Sequence, residues 1–235
     1  MPALDDWPGE LRRNPPRSSP TYAVRAPLAE WLRREAAARP GPFRVLDVGC
    51  GVKPYYPFFE PHASEYVGVD VVDNPAADLQ GAVESLPVED GSFDLVLCIQ
   101  VLEHADDPAQ AVRELRRVVA PGGRVLASTH GVQVYHPAPV DLWRWTHAGL
   151  DRLFRDNASW STLTVTPASG TTACLGMLFS IYVDLLSRRA KVPALGSALV
   201  RGINRGAAAI DRHSEDLREP RSGSLIANFH VVAEP

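Results

Sequence analysis

Apolar runs alternate with amphipathic stretches along the first 130 residues of the chain. Four runs are apolar on both faces and rich in β-branched side chains, which is typical of parallel strands covered on both sides. Apolar positions recur at helical spacing over residues 22–38 and again after Asp107, an N-cap residue followed by Pro108. This alternation predicts a mostly parallel sheet covered by helices. The predicted strands are residues 43–48, 66–70, 93–98 and 124–129.

The remaining third of the chain is less regular. It predicts a helix near residues 146–154, a strand over 161–165, two apolar helices and a last strand over 225–232. We interpret residues 168–215, which contain the two apolar helices, as a helical insertion or cap. Residues 1–20 hold five prolines and little apolar periodicity, so they predict a mobile arm before a single domain over residues 21–235.

Composition narrows the class of protein without naming a function. With 45% apolar and 22% charged residues the chain is typical of a folded globular protein, and a net charge of −4 disfavours nucleic acid as a partner. Three widely spaced cysteines suit neither a disulfide framework nor a zinc site, so we expect no metal. Because no signal pattern and no apolar run of roughly 20 residues is present, we expect a cytoplasmic protein.

A glycine-rich turn follows the first predicted strand. Gly49 and Gly51 let the backbone turn sharply and approach a ligand, and Asp70 ends the next strand 21 residues after Gly49. That interval is close to the one at which an acidic residue binds ribose hydroxyls, but Pro54 replaces the third small residue of a dinucleotide fingerprint. A simple strand–helix corner with a turn-forming Asp70 remains the structural alternative.

Four ordered motifs carry a family resemblance. Residues 45–51 (VLDVGCG), 68–70 (GVD), 86–94 (LPVEDGSFD) and 101–104 (VLEH) resemble those of the type 11 group of class I methyltransferases, which use S-adenosyl-L-methionine. The resemblance covers roughly residues 43–130. It implies a Rossmann-like, mostly parallel sheet of seven strands with an antiparallel last strand, for which residues 225–232 are the candidate, and helices on both faces.

The resemblance also implies a set of cofactor-binding residues. It places the methionine moiety on the turn, the ribose on Asp70, the adenine beside one group of residues and the sulfonium beside another. We add Lys53, which we expect at the start of the next helix, as a partner of the cofactor carboxylate. The family commonly has Asp at the position of Ala82, so the adenine amino group must be held otherwise, with Glu84 as one candidate. The expected residues are Asp47, Gly49, Cys50 and Gly51 for methionine, Val71, Ala82 and Val83 for adenine, and Cys98, Ile99 and Gln100 for the sulfonium.

Candidate acceptor residues follow the strand predicted over residues 124–129, at the edge where ligands bind in open α/β sheets. If the acceptor is a hydroxyl, a base assists the reaction, and His130 or His136 is our candidate. His104 is interpreted as structural. The segment is similar to enzymes of bacterial polysaccharide or lipid-linked sugar pathways, which implies a small-molecule or glycolipid acceptor and an O-methyltransferase. The expected substrate-binding residues are Tyr135, Asp141, Trp143 and Arg144.

The two apolar helices have three interpretations. From residue 184 to 212 six basic residues stand against two acidic ones, a local charge of +4 beside an apolar stripe. This pattern fits a buried cap, a homodimer face or peripheral contact of residues 172–212 with the inner membrane face.

Two other functions compete with methyl transfer. A nicotinamide-dependent reductase is disfavoured because the chain lacks GxGxxG and because neither Tyr135 nor Tyr182 begins a Tyr-x-x-x-Lys pair. A module that binds the cofactor without catalysis is the other alternative, and the missing acidic residue at Ala82 favours it.

Overall fold

The computed structural model describes residues 7–39, 41–137, 139–214 and 217–235. Within this part of the chain, seven strands form one sheet. They are β1 (Phe43–Val48), β2 (Ala63–Asp70), β3 (Leu79–Gln80), β4 (Phe93–Ile99), β5 (Val119–His130), β6 (Thr162–Pro167) and β7 (Asn228–Glu234). Their order across the sheet is β3-β2-β1-β4-β5-β7-β6, and β7 runs antiparallel to both of its neighbours. The remaining pairs are parallel, as the sequence predicts.

Helices cover both faces of this sheet. Successive strand residues point to opposite sides, and the residues on both sides are apolar and need to be buried. Val45, Leu95 and Leu97 pack under α2, whereas Leu46, Val96 and Cys98 pack with α4 and α5. The helices are α1 (Glu10–Arg13), α2 (Tyr22–Ala38), α3 (Tyr56–Phe59), α4 (Pro108–Val118), α5 (His147–Asn157), α6 (Thr171–Arg189) and α7 (Pro193–His213).

Apolar periodicity located α2 to the residue, but the helix predicted near residues 146–154 spans 147–157 and the last strand predicted over 225–232 spans 228–234. The predicted helix over residues 22–38 is α2, and Asp107 caps α4 by accepting a hydrogen bond from the Gln110 N–H at 3.0 Å. The strand predicted to begin at residue 124 is β5, which begins at Val119. The pairing of β5 with β4 shifts between Phe93 and Leu95, so residues 120–123 bulge out of register while the strand continues.

Two further elements differ from the sequence prediction. The helix after the glycine turn is only the single turn α3, so Lys53 lies in the turn before it rather than at a helix start. The two-residue strand β3 was missed, because an exposed edge strand of that length has no apolar pattern to reveal it.

The helices α6 and α7 form a hairpin between β6 and β7, where the sequence predicts the insertion over residues 168–215. Residue 215 lies outside the described part of the chain, and the domain limits stay a prediction. In the described ranges no helix is long and apolar enough to cross a membrane.

The N-terminal segment makes specific contacts with the domain. Of the predicted mobile arm, residues 1–6 lie outside the described residues. The indole of Trp7 donates to the Lys53 carbonyl at 2.9 Å and stacks on Tyr56, and the buried Arg13 donates to the Pro54 carbonyl at 2.7 Å. Residues 7–13 therefore lie against the glycine turn and α3.

Candidate functional site

The glycine turn lies at the carboxyl end of β1, between the ends of β2 and β4. Gly49 and Gly51 both have positive φ angles, of 66° and 52°. A Cβ on Gly49 would come within 2.4 Å of Val101 Cγ2, whereas a Cβ on Gly51 would meet nothing within 4 Å. Gly49 therefore allows close packing inside the protein, and Gly51 borders open space.

Asp70 lies beside this turn because β2 pairs with β1 in parallel register. Its Oδ2 accepts hydrogen bonds from the Gly51 N–H at 3.1 Å and from the Asn74 side-chain amide at 2.8 Å. The same amide donates to the Gly51 carbonyl at 2.8 Å. Asn74, which the sequence analysis did not identify, thus ties the acidic residue to the turn.

Asp47 and Lys53 are both engaged inside the protein. The Tyr66 hydroxyl donates to Asp47 Oδ2 at 2.7 Å, and burial raises the pKa of Asp47 to about 7. The Lys53 ammonium donates to Asp78 Oδ2 at 2.6 Å. The expected pairing of Lys53 with a cofactor carboxylate would therefore require that this ion pair be broken or shared.

The residues expected around the adenine lie on two separate segments. Val71 is exposed directly after Asp70, while Val83 is buried in the core and Ala82 is partly exposed. The Glu84 carboxylate, proposed to replace the missing acidic residue, accepts a hydrogen bond from the Asp107 N–H at 3.3 Å. Glu84 therefore braces the start of α4 in this structure.

At the end of β4 the structure corrects one residue. Cys98 has no exposed surface, and its side chain packs in the core on the face of the sheet that α4 and α5 cover. Ile99 and Gln100 are partly exposed. Gln100 has a φ of 60°, and its side-chain amide donates to Ser128 Oγ and Asn228 Oδ1, both at 3.0 Å. The amide is thus anchored to β5 and β7.

The turn fits the adenosyl and methionine groups of S-adenosyl-L-methionine. The fit rests on the open space beside Gly51 and on the adjacent Asp70 carboxylate, since a backbone without a side chain can approach a ligand closely. Cys50 is buried with its thiol directed to the Gly51 carbonyl, so it would contribute its backbone only.

A buried acid–base pair lies at the ends of β4 and β5. Glu103 has no exposed surface, and its Oε2 accepts a hydrogen bond from the Thr129 hydroxyl at 2.8 Å. Its Oε1 lies 3.4 Å from His130 Nδ1. Neither of these two facing atoms has a hydrogen-bond partner of good geometry among the described residues. Buried polar atoms normally have partners, so this pair is a site at which a proton or a polar ligand can be held.

Burial sets the proton affinities of this pair. Loss of solvation raises the pKa of Glu103 to about 7 and lowers the pKa of His130 to about 4, with the Arg144 charge acting in the same direction on His130. The imidazole is therefore neutral at pH 7, and the carboxyl group titrates close to neutrality. The sequence analysis identified His130 but not Glu103, whose partner is distant in the sequence.

The loop after β5 is held by its own charged residues. Arg144 pairs with both carboxylate oxygens of Asp141 at 2.5 and 2.7 Å and also donates to the Val134 carbonyl at 2.9 Å. The hydrogen bonds from Arg144, with one from the His136 N–H, lower the pKa of Asp141. Asp141 and Arg144, two of the four residues expected to bind the acceptor, thus neutralise each other and fix the loop.

The other residues expected at the acceptor differ in exposure. Tyr135 is 77% exposed and His136 is also exposed, whereas Trp143 is less exposed, at 39%, and its indole donates to the Ala105 carbonyl at 2.8 Å. Of the two histidines considered as a base, only His130 is buried against a carboxyl group.

Comparison with known proteins places this geometry in a family. A model described as a methyltransferase domain matches residues 21–161, which is more than half of the chain. The ubiquinone biosynthesis O-methyltransferase of Bordetella avium is 32% identical over 125 residues, covering 47% of this chain and 52% of that protein. An uncharacterized methyltransferase of Bacillus subtilis, YcgJ, is 36% identical over 103 residues, covering 37% and 40%. The chain spans about half the length of the relatives it matches.

Solved structures agree on the fold. The crystal structure of the YcgJ protein covers 89% of this chain and 98% of its own, with a TM-score of 0.52 at 20% identity. A putative methyltransferase from Bacillus halodurans covers 86% and 97%, with a TM-score of 0.53 at 17% identity. The predicted fold, the class I methyltransferase assignment and the predicted cofactor are confirmed. The chain belongs to the methyltransferase domain family, within the class I methyltransferases that depend on S-adenosyl-L-methionine.

Proposed function

We propose that this protein transfers a methyl group from S-adenosyl-L-methionine to a hydroxyl of a small-molecule acceptor. The buried pair of Glu103 and His130 carries the choice of a hydroxyl, since a hydroxyl oxygen must lose its proton during the reaction and benefits from a positioned base. The relative from Bordetella avium that is named an O-methyltransferase supports the same choice.

In this proposal the glycine turn and Asp70 hold the cofactor. When bound, S-adenosyl-L-methionine supplies an electrophilic methyl group on a positively charged sulfur. Gly51 would let the backbone approach the methionine portion, and Asp70 would accept hydrogen bonds from the ribose hydroxyls. Ile99 and Gln100 would lie between this site and the acid–base pair, because β4 lies between β1 and β5.

The acid–base pair would handle the acceptor proton. Neutral His130 would take the proton on Nε2, while Nδ1 faces the Glu103 carboxylate, which would stabilise the imidazolium that forms. The hydrogen bond from Thr129 fixes the other carboxylate oxygen and so the orientation of Glu103. His130 would be the catalytic residue and Glu103 a positioning residue.

The test is a methyl-transfer assay with isotope-labelled cofactor against fractionated bacterial extracts, with mass detection of the product. We expect an O-methylated product, and we expect His130→Gln to lower kcat by about 10²- to 10⁴-fold, the usual contribution of a general base. The matched variant His136→Gln should stay within a few-fold of wild type, because His136 is exposed and outside the pair. Equal losses in the two variants would contradict the assignment.

The second candidate function is a cofactor-binding module without catalysis, which the Ala82 position favours because it removes an expected adenine contact. Calorimetry with S-adenosylhomocysteine separates the two. Binding without turnover on any fraction would support the module, and the absence of binding would refute both functions. A sugar or lipid-linked acceptor stays a prediction.

A further inference from the structure

The hairpin of α6 and α7 presents an apolar face that the rest of the protein leaves uncovered. On α6 this face consists of Leu175, Phe179, Tyr182 and Leu186, whose spacing of four, three and four residues forms one helical stripe. Phe179 and Tyr182 are 60% and 58% exposed. Contiguous apolar patches of this kind on monomeric proteins usually mark an interaction site.

The contacts between the two helices show that α7 extends the same face. A Cβ on Gly176 would meet Ala207 and Ile203, and a Cβ on Gly196 would meet Ser187, so these residues mark the contact line. With about 100° of rotation per residue, the exposed stripe of each helix lies roughly a quarter-turn from that line, on the same side of the antiparallel pair. The stripe on α7 contains Leu195, Leu199 and Ile210.

The opposite side of the hairpin rests on the domain. Cys174 and Met177 of α6 pack with Val24 of α2, and Asn204 of α7 donates to the carbonyls of Arg17 and Ser19. The apolar face therefore points away from the sheet. It is supported by these contacts, and it needs no rearrangement to become accessible.

Basic residues surround the end and the outer flank of this face. Arg188, Arg189 and Lys191 lie where the two helices join, and the two acidic residues of this stretch are already engaged. Asp184 pairs with Arg188 at 2.8 Å, and buried Asp211 accepts hydrogen bonds from the first residues of α6. Arg201, Arg205 and Arg212 are exposed along the side of α7 that faces away from α6.

We propose that this hairpin docks the protein on an anionic phospholipid surface, with its apolar face at the level of the acyl boundary and its basic flank among the headgroups. The helices would lie in the plane of the membrane, since α6 has 19 residues and a length of about 28 Å and no described helix qualifies as a span. The local charge of +4 on a chain of net charge −4 gives the complementarity. Tyr182 suits the boundary because its ring is apolar and its hydroxyl polar.

The start of the candidate acceptor loop packs against the domain-facing side of the hairpin, so docking would place it one helix diameter, roughly 10 Å, behind the lipid-contacting face. Val132, two residues after β5, packs with Ala173 in the first turn of α6, and the Gln133 amide lies 3.9 Å from Met177 Sδ. Docking does not depend on methyl transfer, so the two proposals are tested separately.

The first experiment measures flotation of the full chain with phosphatidylcholine vesicles that contain or lack phosphatidylglycerol. We expect binding to the anionic vesicles, with weakening between about 0.15 M and about 1 M salt as the Debye length falls from about 8 to about 3 Å. Phe179→Gln should weaken binding about tenfold or more, because one large apolar side chain no longer enters the acyl boundary. Leu11→Gln is the matched control, since Leu11 on α1 is 62% exposed.

The second experiment tests the basic flank with paired substitutions. The double variant Arg201→Gln, Arg205→Gln should lose about fivefold per charge on anionic vesicles. The double variant Arg152→Gln, Arg155→Gln removes the same charge from exposed positions of α5 and should bind like wild type. Equal losses in both double variants would reduce the effect to net charge and overturn the proposed docking face.

Two outcomes would overturn the proposal outright. One is failure of the wild-type chain to bind anionic vesicles at low salt. The other is a dimer, detected by light scattering without lipid, that Phe179→Gln converts to a monomer, since the face would then be covered by a second copy.

A Tyr182→Trp reporter tests insertion in the intact protein. Brominated acyl chains should quench its fluorescence beyond that of the wild type, and equal quenching would contradict insertion.

Discussion

The open space beside Gly51 makes a sharp prediction about cofactor binding. In Gly51→Ala the new methyl group would meet no protein atom within 4 Å, so it would project into the space where the backbone is proposed to approach the methionine portion. The positive φ of 52° adds about 1 kcal/mol of strain for a residue with a Cβ. Gly51→Ala should therefore fold nearly as well as wild type and bind the cofactor poorly.

The expected loss of cofactor affinity in Gly51→Ala follows from the contacts that the new methyl group would displace. Displacing the ligand from the turn would remove about two hydrogen bonds of roughly 1.5 kcal/mol each, which together correspond to about a hundredfold loss of affinity. The strain alone should lower Tm by about 2 to 4 °C for a chain of this size. Calorimetry with S-adenosylhomocysteine and a thermal melt measure the two effects separately.

Gly122→Ala supplies the matched control. Gly122 has a positive φ of 76° and equally open surroundings, but it lies in the bulge of β5 far from the glycine turn in the chain. Gly122→Ala should show a similar decrease of Tm and unchanged affinity. If Gly51→Ala binds S-adenosylhomocysteine like wild type, or if both variants lose affinity equally, the turn does not hold the cofactor as proposed.

Three further predictions concern packing and protonation. Gly49→Ala should lower the free energy of unfolding, measured by chemical denaturation, by about 2 to 4 kcal/mol, because its Cβ would come within 2.4 Å of Val101. Adding Val101→Ala should restore part of this lost stability. The rate of methyl transfer should rise through an apparent pKa near 7 as Glu103 ionises, and a Glu103→Gln variant that keeps this limb would contradict the assignment. Burial lowers the pKa of His230 to about 3. The stability that depends on neutral His230 is fully present above the unfolded pKa near 6.5 and is lost as the pH falls below that value. His230→Phe should reduce this loss of unfolding free energy by about 1 kcal/mol per pH unit in urea titrations from pH 6.5 to 4.

The fold could be predicted from the sequence where local sequence signals agree with the tertiary structure. Helix α2 has apolar periodicity, and α4 has an Asp cap and an N-terminal Pro, so both could be placed without knowledge of their partners. The start of β5 could not be placed, because residues 120–123 contain Pro and Gly and the strand continues through a bulge fixed only by pairing with β4.

The candidate site could be predicted only in part, because sequence spacing does not reveal on which face of the sheet a side chain lies or which residues it contacts. Cys98 and Gln100 lie two residues apart at the end of β4, yet Cys98 is in the core while Gln100 reaches Ser128 and Asn228. Asn228 is far along the chain on β7, so no local pattern links it to β4. The same long-range pairing hid Glu103 as the partner of His130.

The backbone of Glu103 and His130 connects the acid–base pair to the loop after β5. The Glu103 carbonyl accepts hydrogen bonds from the N–H groups of Leu142 and Trp143 at 3.0 and 3.1 Å, and the His130 carbonyl accepts one from Trp145 at 2.9 Å. The loop that we expect to bind the acceptor is thus held by the same two residues whose side chains form the pair. An acceptor that displaces this loop would alter the distance between Glu103 and His130, because both residues are fixed through these bonds. Under the proposed function we therefore expect acceptor choice and proton transfer to be coupled, and loop substitutions should change kcat as well as KM.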